Sequence, residues 1–206
     1  MSACPWSDSE EWEDVFEMLY SSEIDRKRNG LSRVAAWKAR GSVPALLEVT
    51  ADLVSCVVHE EECTQNLQFC GDVLRLMCAA AVTRFVNGVF DVHYVTSLPG
   101  FKDIKTVLGH FGVPSYIVSL RHECVHGILP SLESLKCATD FGLQWLRNNY
   151  WEPQILLNQQ IRESSEVCGE WVQFDSNKTW RADGESEKRR KSANETKALL
   201  SACSVT

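Results

Sequence analysis

Arg121-His122-Glu123-Cys124-Val125-His126 is the segment of this chain whose residue types can do chemistry. It places a fixed cation and two imidazoles within about one and a half helical turns. His122 and His126 are four apart, so on a helix they share a face, with Arg121 at its edge. Histidine gives or takes a proton near neutrality. Arginine stays charged and grips phosphate oxygens with two N–H groups at once. The combination suits cleavage of a phosphodiester, and RNA can supply its own nucleophile, the 2′-hydroxyl.

Two other readings compete. His122-Glu123-Cys124-Val125-His126 fits H-E-x-x-H, the helix that gives zinc proteases two ligands and a glutamate base. That reading needs a third ligand. The extended pattern asks for Gly and His where this chain has Leu129 and Leu132. A later glutamate would have to come from Leu143-Gln144-Trp145-Leu146-Arg147, which holds no carboxylate. Pro130 should also end the helix soon after the second histidine. No metal and no cofactor is therefore expected. The other competitor is structural, with both histidines satisfied in or near a core.

Helices must position these residues. Ser7 with Glu10 makes a capping-box pattern, followed by Trp12, Val15, Phe16, Leu19 and Tyr20 at helical spacing. Residues 31–40 continue helical to Gly41, and Pro44 suits the first turn of a helix running to about Glu60. Asn66 is placed to cap Leu67–Val95, with Leu74, Met77, Cys78, Ala81, Phe85 and Val86 as its buried stripe. Asn87-Gly88 reads as an interruption of that helix. A short helix over 102–111 ends near Gly112; Pro114 opens the motif helix, which runs to about Gly127. Ser131 caps a last helix from Leu132 to Tyr150. Strand-like alternation is absent, so an all-α bundle is expected over residues 1–152. Residues 153–206 lose apolar periodicity and carry Lys188-Arg189-Arg190-Lys191, and read as a largely disordered charged tail with at most one loose helix.

Composition narrows the classes. At 206 residues and 44% hydrophobic, the chain can build one core plus a tail. The nine cysteines include no C-x-x-C pair; Cys56, Cys63, Cys70 and Cys78 read as reduced thiols on one helical stripe. No apolar run reaches the roughly eighteen residues of a membrane span, and the acidic start MSACPWSDSEEWED is not signal-like. A soluble intracellular protein is expected. The net charge of −7 argues against general coating of nucleic acid, but the charge is uneven. Residues 1–24 carry seven acids and no Lys or Arg, while Arg26, Lys27, Arg28, Arg33, Lys38 and Arg40 form a basic band. Lys38, Arg40 and Arg84 are candidates to hold an RNA backbone; ion pairing or helix packing is their structural alternative. Trp37 fits a core stripe with Val34 better than a base-stacking platform.

Arg121-x4-His126, with a polar residue after the arginine, resembles the signature of the HEPN superfamily of helical ribonucleases. Trp37-Lys38-Ala39-Arg40-Gly41, Arg84-Phe85-Val86-Asn87-Gly88, Leu120-Arg121-His122, Leu129-Pro130-Ser131-Leu132 and Trp145-Leu146-Arg147-Asn148-Asn149-Tyr150-Trp151 together resemble the N-terminal domain of the Las-type endoribonuclease of ribosome biogenesis. The likeness covers about Trp6 to Glu152. It implies a HEPN-like helical bundle and a nuclear, nucleolar protein. The implied activity is metal-free cutting of precursor ribosomal RNA in the second internal transcribed spacer, leaving a 2′,3′-cyclic phosphate and a 5′-hydroxyl. It further implies a homodimer with a composite site, and a polynucleotide 5′-kinase as partner. Arg121, His122 and His126 would be its catalytic residues.

Two positions depart from the family pattern: Val125 stands where threonine is usual, and Gly127 where an acid is usual. Neither change removes a proton-transfer group, but Val125 removes a hydroxyl that could orient His126. The family's longer C-terminal region is mostly missing, so a short isoform or a fragment is expected. The alternative from another class is a catalytically weak helical scaffold in pre-ribosome processing complexes, which the acidic N-terminal segment favours.

Overall fold

The computed structural model describes residues 5–63, 70–94 and 103–174. Within them the chain is all α, as expected, with no strand among the described residues. The helices are α1 (Ser9–Leu19), α2 (Ile24–Arg40), α3 (Ala45–Cys63), α4 (Cys70–Tyr94), α5 (Ile104–His110), α6 (Ser115–His126), α7 (Leu132–Leu146) and α8 (Glu152–Phe174). A wider π-turn, Arg147–Trp151, joins α7 to α8. Residues Met1–Leu156 make one compact unit, and the remainder of α8 belongs to a second.

α4 is the central element, packed against α3, α5, α6 and α7. Its stretch Gly71–Val92, with a mean hydropathy of 1.5, is long and apolar enough to cross a membrane by length and composition. The sequence reading found no such run. The stretch is instead the core helix of the bundle: Leu74, Cys78, Val82, Phe85, Val86 and Val89 are buried on it. α4 also runs unbroken through Asn87-Gly88, against the expected interruption. The reason is packing: Val86 and Val89 on either side of the pair are fully buried, and α3 lies so close that a Cβ at Gly88 would come to 3.4 Å from the Val49 side chain.

The first helix starts one residue off the expected pattern. Asp8, not Ser7, is the N-cap, its side chain accepting from the Glu11 N–H at 2.8 Å. The box closes one residue later as well. Ser7 donates from its N–H and its hydroxyl to Glu11, at 2.8 and 2.7 Å. The Trp37 indole donates to the same carboxylate at 3.0 Å, and Arg33 lies 3.5 Å away. The Ser7 N–H, then the Ser7 hydroxyl and the Trp37 indole, hold the Glu11 carboxyl at about 2, below its ordinary 4.5. A carboxyl lowered in the folded state stabilises above its unfolded value and loses that contribution as pH falls through the folded one. The Tm advantage of the native chain over Glu11→Gln should therefore hold at neutral pH and shrink between about pH 4.5 and pH 2. An advantage that stays constant down to pH 2 in thermal melts would assign the effect to packing alone.

The other boundaries follow proline, glycine and serine chemistry. Gly112 takes a positive φ of 76° after α5, a conformation open to glycine at little cost. Ser131 caps α7 by accepting from the Ser134 N–H at 3.2 Å. Trp37 is fully buried, as the stripe reading required, and Trp145 and Trp151 are core residues too.

Two further expectations are corrected. The helix expected to stop at Tyr150 widens into the π-turn and continues as α8, so the element boundary at residue 152 is crossed by helix. Pro153, which has no N–H to return to the preceding turn, lies just past the π-turn, where the helical hydrogen-bond pattern is already widened. The cysteine stripe is also split. Cys56 and Cys78 are buried free thiols, but Cys63, half-buried at the end of α3, is disulfide-bonded. The stripe leaves the core at the helix end, where a thiol is free to pair. Asn66 and most of the expected tail lie outside the described residues.

Candidate functional site

α6 carries the motif. Pro114 is its N-cap in an extended conformation, and Ile117 and Val118 are buried with Leu120 and Cys124 half-buried, so that face seats the helix on the bundle. Ser119, His122, Glu123, Val125 and His126 are exposed on the other side. The Gly127 N–H closes the last turn on the Glu123 carbonyl at 2.9 Å, and the buried Pro130 lies in the connection to α7. Arg75 of α4 ties that connection down, its guanidinium donating to the carbonyls of Leu129 and Pro130.

The two imidazoles meet as their spacing predicts. Their ring centroids are 5.1 Å apart with the planes tilted by 52°. Among the described residues neither ring has a hydrogen-bond partner, so both present free nitrogens to solvent. This excludes the reading in which the histidines are core residues. Val125 is 48% exposed and offers His126 no polar contact.

Arg121 is half-buried and turned toward α4, where its Nε donates to the Asn87 side-chain oxygen at 3.2 Å. No carboxylate pairs with it among the described residues. It is thus a fixed cation beside two free imidazoles, an arrangement able to hold a phosphate and move protons around it. Among the described residues no group of three or more His, Cys, Asp or Glu stands ready to hold a metal ion.

The three other candidates are engaged by other partners. Lys38 and Arg84 converge on Glu48, at 3.5 and 2.8 Å, and Arg84 also pairs with Asp52. Arg40 donates to the Pro5 carbonyl at 3.4 Å. Among the described residues no hydrogen bond or ion pair links any of them to Arg121. The whole basic band is engaged in this way: Arg26 pairs with Glu17, Arg28 with Asp25 and Glu62, and Arg33 with Glu11, while Lys27 donates to the Ser21 carbonyl. The acids that the sequence segregates by position are interleaved with the bases in space. Sequence reasoning missed Asn87. Its signal was a polar amide within an apolar helix stripe, which a breaker reading of Asn-Gly obscured.

A family model described as Las1-like matches residues 4–153. The chain is 30% identical over 165 residues to the ribosomal biogenesis protein LAS1L of Mus musculus, covering 79% of this chain and 20% of that protein. It is 27% identical over 161 residues to the pre-rRNA-processing protein las1 of Schizosaccharomyces pombe, covering 74% and 31%. It is 30% identical over 161 residues to the protein LAS1 of Saccharomyces cerevisiae, covering 74% and 32%. The chain spans about a fifth to a third of the length of these relatives.

Proposed function

The chain belongs to the Las1-like family, and from that premise we propose that it is a metal-independent endoribonuclease of pre-ribosomal RNA processing. Its substrate is precursor ribosomal RNA, cut in the second internal transcribed spacer to leave a 2′,3′-cyclic phosphate and a 5′-hydroxyl. The names of the mouse and S. pombe relatives support the pathway. The observation that carries the chemistry is the exposed end of α6, with two unpartnered imidazoles and one guanidinium free of any carboxylate among the described residues.

In this reading the 2′-hydroxyl attacks the adjacent phosphate in line. One histidine accepts its proton, and another protonates the departing 5′-oxygen. Arg121 binds the charge that builds on the phosphorane. An in-line displacement sets its base and acid on opposite sides of phosphorus. His122 and His126 of one chain lie side by side, with centroids 5.1 Å apart. The geometry therefore favours base and acid from two copies of the chain, a homodimer with a shared site. The 5′-hydroxyl product suits a polynucleotide 5′-kinase partner, and the nucleus, with its nucleolus, is the compartment this work requires. Lys38, Arg40 and Arg84 contact RNA in this scheme only by releasing the bonds they now make.

The scaffold reading has one observation of its own. Val125 and Ile128, 48% and 91% exposed, leave apolar surface beside the histidines, suited to a protein partner. Cleavage of a spacer-derived RNA in chelator decides between them. The expected products carry a cyclic phosphate and a 5′-hydroxyl, and a single 2′-deoxy substitution at the cut blocks the reaction. Loss of cleavage in chelator would overturn the metal-free mechanism, and no cleavage under any condition, with the kinase added, would favour the scaffold.

A further inference from the structure

α4 and α6 run antiparallel along a short polar seam. Thr83, one turn before Asn87, meets Cys124, and Asn87 meets Arg121. Residues on either side of Asn87 on α4, Phe85, Val86 and Val89, are fully buried and apolar. Asparagine is a poor helix former and contributes nothing to that apolar stripe. Its one described contact is the hydrogen bond from Arg121 Nε, at 3.2 Å. Arginine carries donors only, so the amide must turn its oxygen to the guanidinium and its NH2 away.

The choice of a neutral acceptor has a consequence. Arg28, Arg84 and Arg147 are all held by carboxylates. A carboxylate fixes a guanidinium but also neutralises it and competes with an incoming anion. An amide oxygen fixes it and leaves the charge intact. Because the bond uses Nε, both terminal Nη groups remain for a bidentate grip on two phosphate oxygens.

We infer that Asn87 is the positioning residue for Arg121, orienting the guanidinium through Nε while preserving its charge for the scissile phosphate. The inference rests on the ribonuclease reading of Arg121 above and adds a residue from a different helix to that site. It separates three variants. Asn87→Ala releases the guanidinium and lowers kcat by about 10–100-fold, the usual cost of losing a group that orients a reacting side chain, with KM little changed. Asn87→Asp keeps the shape and the hydrogen bond but neutralises Arg121, so it falls to the level of Arg121→Ala. The double variant Asn87→Ala with Arg121→Ala is no worse than Arg121→Ala alone, because the amide acts only through the arginine.

The experiment measures kcat and KM for spacer RNA on these three variants and on Arg121→Ala in chelator. It is paired with solvent exchange of the Arg121 Nε–H in 15N spectra, assigned with Arg121→Lys. Slow exchange in the native chain that becomes fast in Asn87→Ala, together with the non-additive kinetics, supports the inference. Fast exchange in the native chain overturns it whatever the enzyme does. So does an active native enzyme that is indifferent to Asn87→Ala, or an Asn87→Asp variant as active as the native chain. A native chain with slow exchange but no cleavage overturns the ribonuclease reading and removes the catalytic role with it, which is a distinguishable failure.

Discussion

His126→Ala should lower spacer cleavage by about 10²–10⁴-fold, the range that general acid–base catalysis supplies. Its fold should be untouched. His126 is exposed, sits in the last turn of α6, and has no contact among the described residues except the neighbouring imidazole. Surface changes of that kind usually move stability by no more than about 0.5 kcal/mol. A large kinetic loss at constant Tm therefore separates chemistry from structure. His122→Ala should be impaired in the same range, and a chemically activated leaving group tells the two apart. A substrate whose departing oxygen is replaced by sulfur needs no proton on leaving, so it rescues the variant that lacks the acid and not the one that lacks the base. Cleavage by His126→Ala at the native rate would remove this histidine from the mechanism.

The parts of this site that could be read in the sequence are those fixed by local chain geometry. The i, i+4 spacing of His122 and His126 predicts a shared exposed face, and the rings do meet there. Pro114, Gly112, Gly127 and Ser131 mark helix ends because their backbone preferences act within a few residues. What could not be read depends on which elements face each other. Asn87 and Arg121 are far apart in sequence and joined by the packing of α4 on α6. The ion pairs that occupy Lys38 and Arg84 arise because Glu48 of α3 lies between α2 and α4. The N-cap moved from Ser7 to Asp8 for a mixed reason: both residues can cap, and the Trp37 indole from α2 settles where the Glu11 carboxylate lies. The Cys63 disulfide breaks the reading of a reduced stripe, since repeat spacing says which thiols share a face and not where that face leaves the core.

Trp151→Ala should cost about 3–5 kcal/mol, the largest stability loss expected from any single change proposed for this chain. Trp151 is completely buried. Its ring lies 4.4 Å from that of Trp12, 5.5 Å from Phe16 and 5.4 Å from Tyr150, centroid to centroid. Its indole N–H donates to the buried Thr50 hydroxyl at 3.0 Å, and that hydroxyl donates onward to the Leu46 carbonyl at 2.8 Å. One side chain thus ties the π-turn to α1 and α3. The size of the loss depends on how far the site can collapse. The surrounding rings and the Thr50 hydroxyl come from α1, α3 and the π-turn itself, so no small shift of one of them fills the space. Trp151→Phe divides the effect. It keeps most of the ring packing and removes only the donor to Thr50, which still finds Leu46, so it should cost about 1 kcal/mol. Urea unfolding followed by far-ultraviolet circular dichroism measures both without relying on tryptophan emission. Domains of this size are stable by about 5–15 kcal/mol in all, so the Ala variant should unfold at visibly lower urea with an unchanged slope. A loss under about 1 kcal/mol for Trp151→Ala would mean that the bundle holds together without the π-turn, and that its stable part ends before α8 begins.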